Sequence, residues 1–155
     1  MIGMNVAPRS TSRPEYTREL VGFLHGLQND NIPAGVLDRS RYFLLDYLAV
    51  AIRGSQEESA RCVQRMIQRC GDGAGRATVI GTGLRTLPGL AALANGTASH
   101  GIEQDDTHGG GSIHLGTTMY SVALALAETH PETATNQFLA AVIAGYDQVR
   151  AKRVA

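Results

Sequence analysis

Apolar residues recur at helical spacing in six separate stretches of this chain and at strand-like density in one short run. From Tyr16, the positions Tyr16, Leu20, Phe23, Leu24 and Leu27 predict a first helix, broken at Asn29-Asp30-Asn31 before Pro33. A second runs from near Pro33 to about Arg53. Leu37, Leu44, Leu48 and Ala51 form its stripe, with Phe43, Tyr47 and Val50 beside it, a breadth that implies burial on two sides, and Gly54 is placed to end it. The third, about Glu57 to Cys70, sets Val63, Met66, Ile67 and Cys70 inward and Arg61, Arg65 and Arg69 outward, stopping at Gly71. Pro88 opens a fourth, through Leu90, Leu93 and Ala94 to about His100. A fifth, about Leu115 to Glu128, is apolar nearly all round, as in a helix at the centre of a bundle. The sixth, about Asn136 to Arg150, carries Leu139, Val142, Ile143 and Tyr146 on its stripe. The strand candidate, Ala77-Thr78-Val79-Ile80, is too short to found a sheet, and the chain shows no partner for it. The pattern therefore predicts an all-α fold, a helical bundle over residues 15–155 with no repeat or linker, preceded by a loose Ser-, Thr-, Pro- and Arg-rich tail over 1–14.

Composition narrows the function classes. With 155 residues, 43% of them apolar and 18% charged, the chain suits one globular domain. Lys plus Arg and Asp plus Glu both number 14, so no net field draws nucleic acid or an anionic membrane, and neither is an expected partner. Lys152 is the one lysine, which leaves no credible lysine base or Schiff-base residue. Cys62 and Cys70 lie eight residues apart on one predicted helix, about 12 Å of rise, too far for a disulfide; they read as reduced, structural cysteines. With no leader and no apolar run of membrane length, a cytoplasmic location is expected.

Chemistry concentrates in residues 100–116, between the fourth and fifth helices: three of the chain's five histidines (His100, His108, His114) fall here, with Glu103, Asp105, Asp106 and the triplet Gly109-Gly110-Gly111. Asp105, Asp106, His108 and His114 are of metal-ligand type but match no metal-motif spacing, so the expectation is no metal, with solvated loop charges as the plainer reading. The glycine triplet lacks the Lys-Ser/Thr of a phosphate-binding P-loop and reads as a flexible loop or hinge. Gly81-Thr82-Gly83 lacks the third glycine of a dinucleotide loop. His114 stands at the first turn of the fifth helix, with Ser112 as a cap candidate. There the helix dipole favours a neutral imidazole and free N–H groups favour an anion, a suitable place for a base beside a carboxylate. Thr107 either donates to a ligand or closes a turn with Asp105 or Asp106. His100 reads as a helix C-terminal cap, Tyr146 mainly as core, and His25 and His130 as lying outside the cluster.

Ala94-Asn95-Gly96-Thr97-Ala98-Ser99-His100, continuing into Glu103-Gln104-Asp105-Asp106-Thr107-His108 and Ser112-Ile113-His114-Leu115-Gly116, resembles the signature of the MmgE/PrpD family. Similarity extends to Ala77-Thr78-Val79-Ile80-Gly81 upstream and to Ala125-Leu126-Ala127-Glu128 and Ala144-Gly145-Tyr146-Asp147 downstream, covering roughly residues 16–150. The resemblance implies a cofactor-free lyase or isomerase acting on small polycarboxylates, such as 2-methylcitrate dehydratase, cis-aconitate decarboxylase or iminodisuccinate epimerase. It also implies a large helical domain joined to a smaller α/β lid; without the covering of later segments, the apolar surface of the helices at 115–128 and 136–150 predicts a homodimer or other self-association. Carried over by motif position, Glu103, Thr107 and His114 become the catalytic candidates, with Asp105, Asp106, His108 and Ser112 as substrate-binding ones. Glu103 stands where Asp is usual and Gln104 where an aromatic or aliphatic residue is common. The family's later lysines, tyrosine and lid have no counterpart here, and Ala-Lys-Arg-Val-Ala departs from its usual continuation. The chain thus reads as the N-terminal helical portion, with the lid absent and the catalyst incomplete. Two functions stay open: a lyase or isomerase domain that removes a proton α to a carboxylate, or a non-enzymatic helical remnant that associates through exposed apolar faces.

Overall fold

The computed structural model describes residues 16–27, 31–70 and 75–151, so the tail, the Gly71 stop and Lys152 lie outside the described residues. The elements in chain order are α1 (Tyr16–Gly26), α2 (Ala34–Gly54), α3 (Glu58–Cys70), β1 (Ala77–Thr78), β2 (Arg85–Thr86), α4 (Pro88–His100), α5 (Leu115–Ala127) and α6 (Thr135–Ala151). The all-helical expectation holds, and each helix begins and ends within about two residues of where the apolar period places it.

α4, not α5, is the most enclosed helix: it packs against α2, α3, α5 and both strands, and Ala91, Ala94 and Ala98 keep its buried faces slim enough for those neighbours. α5 packs on α4, α6 and α2 but leaves Val122 and Leu126 nearly half exposed, so its all-round apolar pattern is only partly covered. Tyr47 and Ala51 of α2, Tyr120 of α5 and Val142 of α6 form the main core cluster. Its two phenols are satisfied internally: the Tyr120 hydroxyl donates to the Ser40 carbonyl at 2.6 Å, and Tyr47 Oη lies 2.8 Å from Ser121 Oγ. Burial, opposed by the Ser121 hydrogen bond, pushes the Tyr47 hydroxyl up to about 12, so it stays protonated.

Three expectations change. The strand candidate has a partner: β1 pairs antiparallel with β2, Ala77 opposite Thr86 and Thr78 opposite Arg85. A two-residue strand has no alternation to read, which is why the pairing was invisible. Gly81, at φ 74°, lies in the turn of this hairpin, so Gly81-Thr82-Gly83 is turn chemistry. Asn95 of α4 fastens β1, accepting from the Ile80 N–H at 2.8 Å and donating to the Thr78 carbonyl at 2.9 Å. Gly54 is still helical and works by size, since a Cβ there would overlap the Ala98 carbonyl where α2 crosses α4. Cys62 and Cys70 are free as expected, but both are exposed and take no part in the core. Among the described residues, no helix is long and apolar enough to cross a membrane.

Candidate functional site

The loop from Gly101 to His114 is built between two helix ends. α4 finishes at His100, and the Gly101 N–H donates to the Ala98 carbonyl at 3.1 Å. Glu103 then takes a left-handed conformation, φ 53°, which turns the chain back beneath the end of α4. At the far end, His108 and Ile113 form an isolated antiparallel bridge, His108 N–H to Ile113 carbonyl 2.9 Å, and the Gly111 N–H closes the turn on the His108 carbonyl at 3.0 Å. The glycine triplet is thus the tip of a hydrogen-bonded turn. Ser112, φ 48°, is exposed, and it does not cap α5; the N-cap residue is His114, without a side-chain cap bond of its own.

Both aspartates of the loop point inward. Asp106 Oδ1 accepts the Gly116 N–H at 2.7 Å, serving the orphan donors and positive end of α5, and Asp106 Oδ2 accepts from the Tyr146 hydroxyl of α6 at 2.9 Å. Burial and the Asp106 charge push the Tyr146 phenol well above its ordinary range, so it remains a donor. A Cβ at Gly116 would overlap Asp106 Oδ1 and lie 3.0 Å from the Tyr146 oxygen, so any larger residue would displace these two side-chain ends.

Asp105 is the centre of the site, its side chain 2% exposed. His100 Nδ1 lies 3.1 Å from its Oδ2, His114 Nδ1 3.1 Å from its Oδ1, and the Thr117 hydroxyl of α5 donates to Oδ2 at 2.5 Å. Burial raises the Asp105 carboxyl, but hydrogen bonds from Thr117 and His100 outweigh it and hold the group below the usual carboxylate range. The two imidazoles meet edge to face, centroids 4.6 Å apart. His100 Nε2 also faces Glu103 Oε1 at 3.3 Å, while Glu103 itself is 74% exposed in its side chain. Thr107 closes the turn by donating to the Asp105 carbonyl at 3.3 Å, and its oxygen lies 3.4 Å from His114 Nδ1. His108 stands apart, with a shielded Nδ1 that has no hydrogen-bond partner.

The structure therefore brings Glu103, Asp105, Thr107 and His114 together and sets Asp106 beside them at the start of α5. It leaves His108 and Ser112 on the glycine turn. Asp105 and Asp106 are not solvated loop charges. His100, expected as a cap, turns its ring to the loop carboxylates; its i+3 and i+5 spacing to Glu103 and Asp105 across Gly101 is the signal that could have found it. Thr117 and Tyr146 are the other partners not assigned from the sequence, since their spacing of 12 and 40 residues carries no local pattern. Donor atoms of His100, Asp105 and His114 fall within 4.8 Å of one another, close enough to surround a cation. His100 Nδ1 and the Thr117 hydroxyl are hydrogen-bonded to the carboxylate, and His114 Nδ1 lies at ion-pair distance from its Oδ1. His114 Nδ1 lies 3.1 Å from Asp105 Oδ1 and 3.4 Å from Thr107 Oγ1; a proton held there would leave the Nε2 lone pair for a ligand, the arrangement of a general base.

Comparison with known proteins matches this architecture to a family. A cis-aconitate decarboxylase-like protein of Aspergillus oryzae is 29% identical over 148 residues, 89% of this chain and 30% of that protein. Cis-aconitate decarboxylase of Aspergillus terreus is 31% identical over 124 residues, 79% of this chain and 25% of that protein. The enzyme of that name from Mus musculus is 28% identical over 116 residues, 75% and 24% respectively. The chain thus spans between 24% and 30% of the length of these curated relatives. The model of the MmgE/PrpD N-terminal domain matches residues 18–152, nearly the whole described fold with the histidine–aspartate loop inside it, and the chain belongs to the MmgE/PrpD family.

Proposed function

We propose that this domain contributes to a cofactor-free lyase or isomerase site for small polycarboxylates, in which His114 moves the proton α to a carboxylate. The observation that carries the reading is the buried Asp105 carboxylate 3.1 Å from His114 Nδ1, at the N-cap of α5. Asp105 fixes the tautomer and stabilises the imidazolium formed when Nε2 takes the proton. The positive end of α5 favours the substrate carboxylate nearby. In this reading Glu103, Thr107 and His114 touch substrate, with His108 and Ser112 on the flanking turn, whereas Asp105 and Asp106 position their neighbours. The relatives' names, cis-aconitate decarboxylase and cis-aconitate decarboxylase-like protein, support a lyase reaction on a small polycarboxylate; within that class we propose decarboxylation or a 2-methylcitrate dehydratase-like dehydration. The groove of about 320 Å³ between α4 and α5 is a poor alternative, because Ala92, Leu93 and Val122 line it without a cationic side chain.

Titration of the ¹⁵N-labelled chain with cis-aconitate and citrate tests the reading. Saturable shifts at His114, Thr107 and the first N–H groups of α5 are expected, weakened by His114→Ala and not by His25→Ala or His130→Ala. No saturable shift with a dissociation constant tighter than about 10 mM, an affinity near 3 kcal/mol, would overturn it.

A further inference from the structure

Asp105 Oδ1 is the point on which both imidazoles of the site converge: His100 Nδ1 lies 3.2 Å from it and His114 Nδ1 3.1 Å. In a four-coordinate zinc site, with metal–donor bonds of about 2.0–2.1 Å, neighbouring donor atoms stand about 3.3 Å apart. Two edges of such a site are therefore already set, and one donor atom from each of the three residues falls within 4.8 Å of the others. The remaining edge closes by ring rotation, for which His100, 44% exposed in its side chain, has room. The neighbouring groups suit a metal as well. The Thr117 hydroxyl, 3.1 Å from the buried Ser99 Oγ, donates to Asp105 Oδ2; that bond fixes the carboxylate and leaves Oδ1 for the rings. Glu103 Oε1 lies 3.3 Å from His100 Nε2, the nitrogen not turned to Asp105, where the carboxylate partner of a metal-bound histidine stands. Sequence spacing points to Asp106 and His108 in place of His100, but Asp106 serves the Gly116 N–H and the Tyr146 hydroxyl instead.

We propose that His100, Asp105 and His114 form a binding site for a divalent transition-metal ion, zinc above all, and that the ion switches off the base. Two imidazoles and one carboxylate suit zinc, cobalt(II) or nickel(II) and not magnesium or calcium, which take oxygen donors. The ion is not a cofactor of the reaction proposed above but excludes it: a His114 ring bound through Nδ1 carries its proton on Nε2 and has no lone pair left to accept another. That inhibitory consequence rests on the reading of His114 as the base, whereas the metal site rests on the geometry alone.

The experiment is calorimetric titration of the chain with zinc chloride and with magnesium chloride, in a Cys62→Ser, Cys70→Ser background that removes the exposed thiols as competing ligands. One zinc per chain with a dissociation constant tighter than about 0.1 mM is expected, and no magnesium at that strength. His100→Ala and His114→Ala should each weaken zinc at least about tenfold, while His25→Ala and His130→Ala leave it unchanged. Weaker zinc binding than this, or an affinity indifferent to both His100→Ala and His114→Ala, overturns the proposal. ¹⁵N-histidine spectra of the zinc-loaded chain serve if those variants do not fold: the shifted nitrogens should be Nδ1 of His100 and His114, with the His114 proton on Nε2. Shifts confined to other histidines overturn the site, and an unprotonated His114 Nε2 overturns the switch. Cis-aconitate added to the metal-free chain separates the two claims. Zinc binding without cis-aconitate shifts leaves the metal site standing and removes the polycarboxylate reading; cis-aconitate shifts without zinc binding do the reverse.

Discussion

Asp105 keeps its charge in a nearly closed environment because two imidazoles and a threonine hydroxyl surround it. Its folded carboxyl titrates below the ordinary value, so the folded state holds the charge to lower pH than the unfolded chain does. That contribution to stability is complete above the ordinary carboxylate range, near about pH 4, and is lost as pH falls through the lower folded value. Asp105→Asn should therefore cost about 1–3 kcal/mol in urea unfolding near pH 7, with the gap from wild type narrowing below about pH 4. A gap that stays constant down to pH 3 would contradict the assignment. The residue scale is also where the sequence was read with most success and most omission. Glu103, Thr107 and His114 stand out because a local motif carries them. The partners that orient them, His100, Thr117 and Tyr146, come from three different helices, and only tertiary packing brings them to the loop.

Among the elements, α5 depends most on its first turn. Its N-cap residue gives no side-chain cap bond, and Asp106 supplies that bond from outside the helix, to the Gly116 N–H. Asp106→Ala should cost about 1 kcal/mol and speed amide hydrogen exchange at Gly116 to Thr118 more than at the end of the helix. Gly116→Ala should cost about 1–3 kcal/mol by overpacking against Asp106 and Tyr146, read by the same exchange pattern and by thermal unfolding. A similar argument applies at the α2–α4 crossing, where Gly54→Ala forces a methyl into backbone and not into a flexible side chain; a loss of more than about 2 kcal/mol is expected by urea titration. Helix positions were legible because the 3.6-residue period repeats several times in each. The β1–β2 hairpin and the true role of Gly54 were not, since one is too short to show a period and the other depends on a neighbour 44 positions away.

At the scale of the molecule, large apolar side chains remain in the open. Leu93 of α4 and Val122 and Leu126 of α5 are each nearly half exposed, as are Tyr42, Leu45 and Ile52 of α2 to a greater degree. We propose that these faces make the chain self-associate, and light scattering on a size-exclusion eluate should give a mass above 16.5 kDa; a monomer across the concentration range would contradict it. Leu126→Glu together with Val122→Glu should return the mass toward one chain. The loop has a different consequence for how such a protein can change over time. The His108–Ile113 bridge pinches the chain shut before the glycine tip, while Asp105 and Asp106 anchor one side and Gly116 the other. Residues gained or lost at positions 109–112 therefore hang beyond the pinch, and the distance from Asp105 to His114 does not depend on how many there are. An insertion or deletion in the tip is therefore expected to leave the Asp105–His114 contact in place.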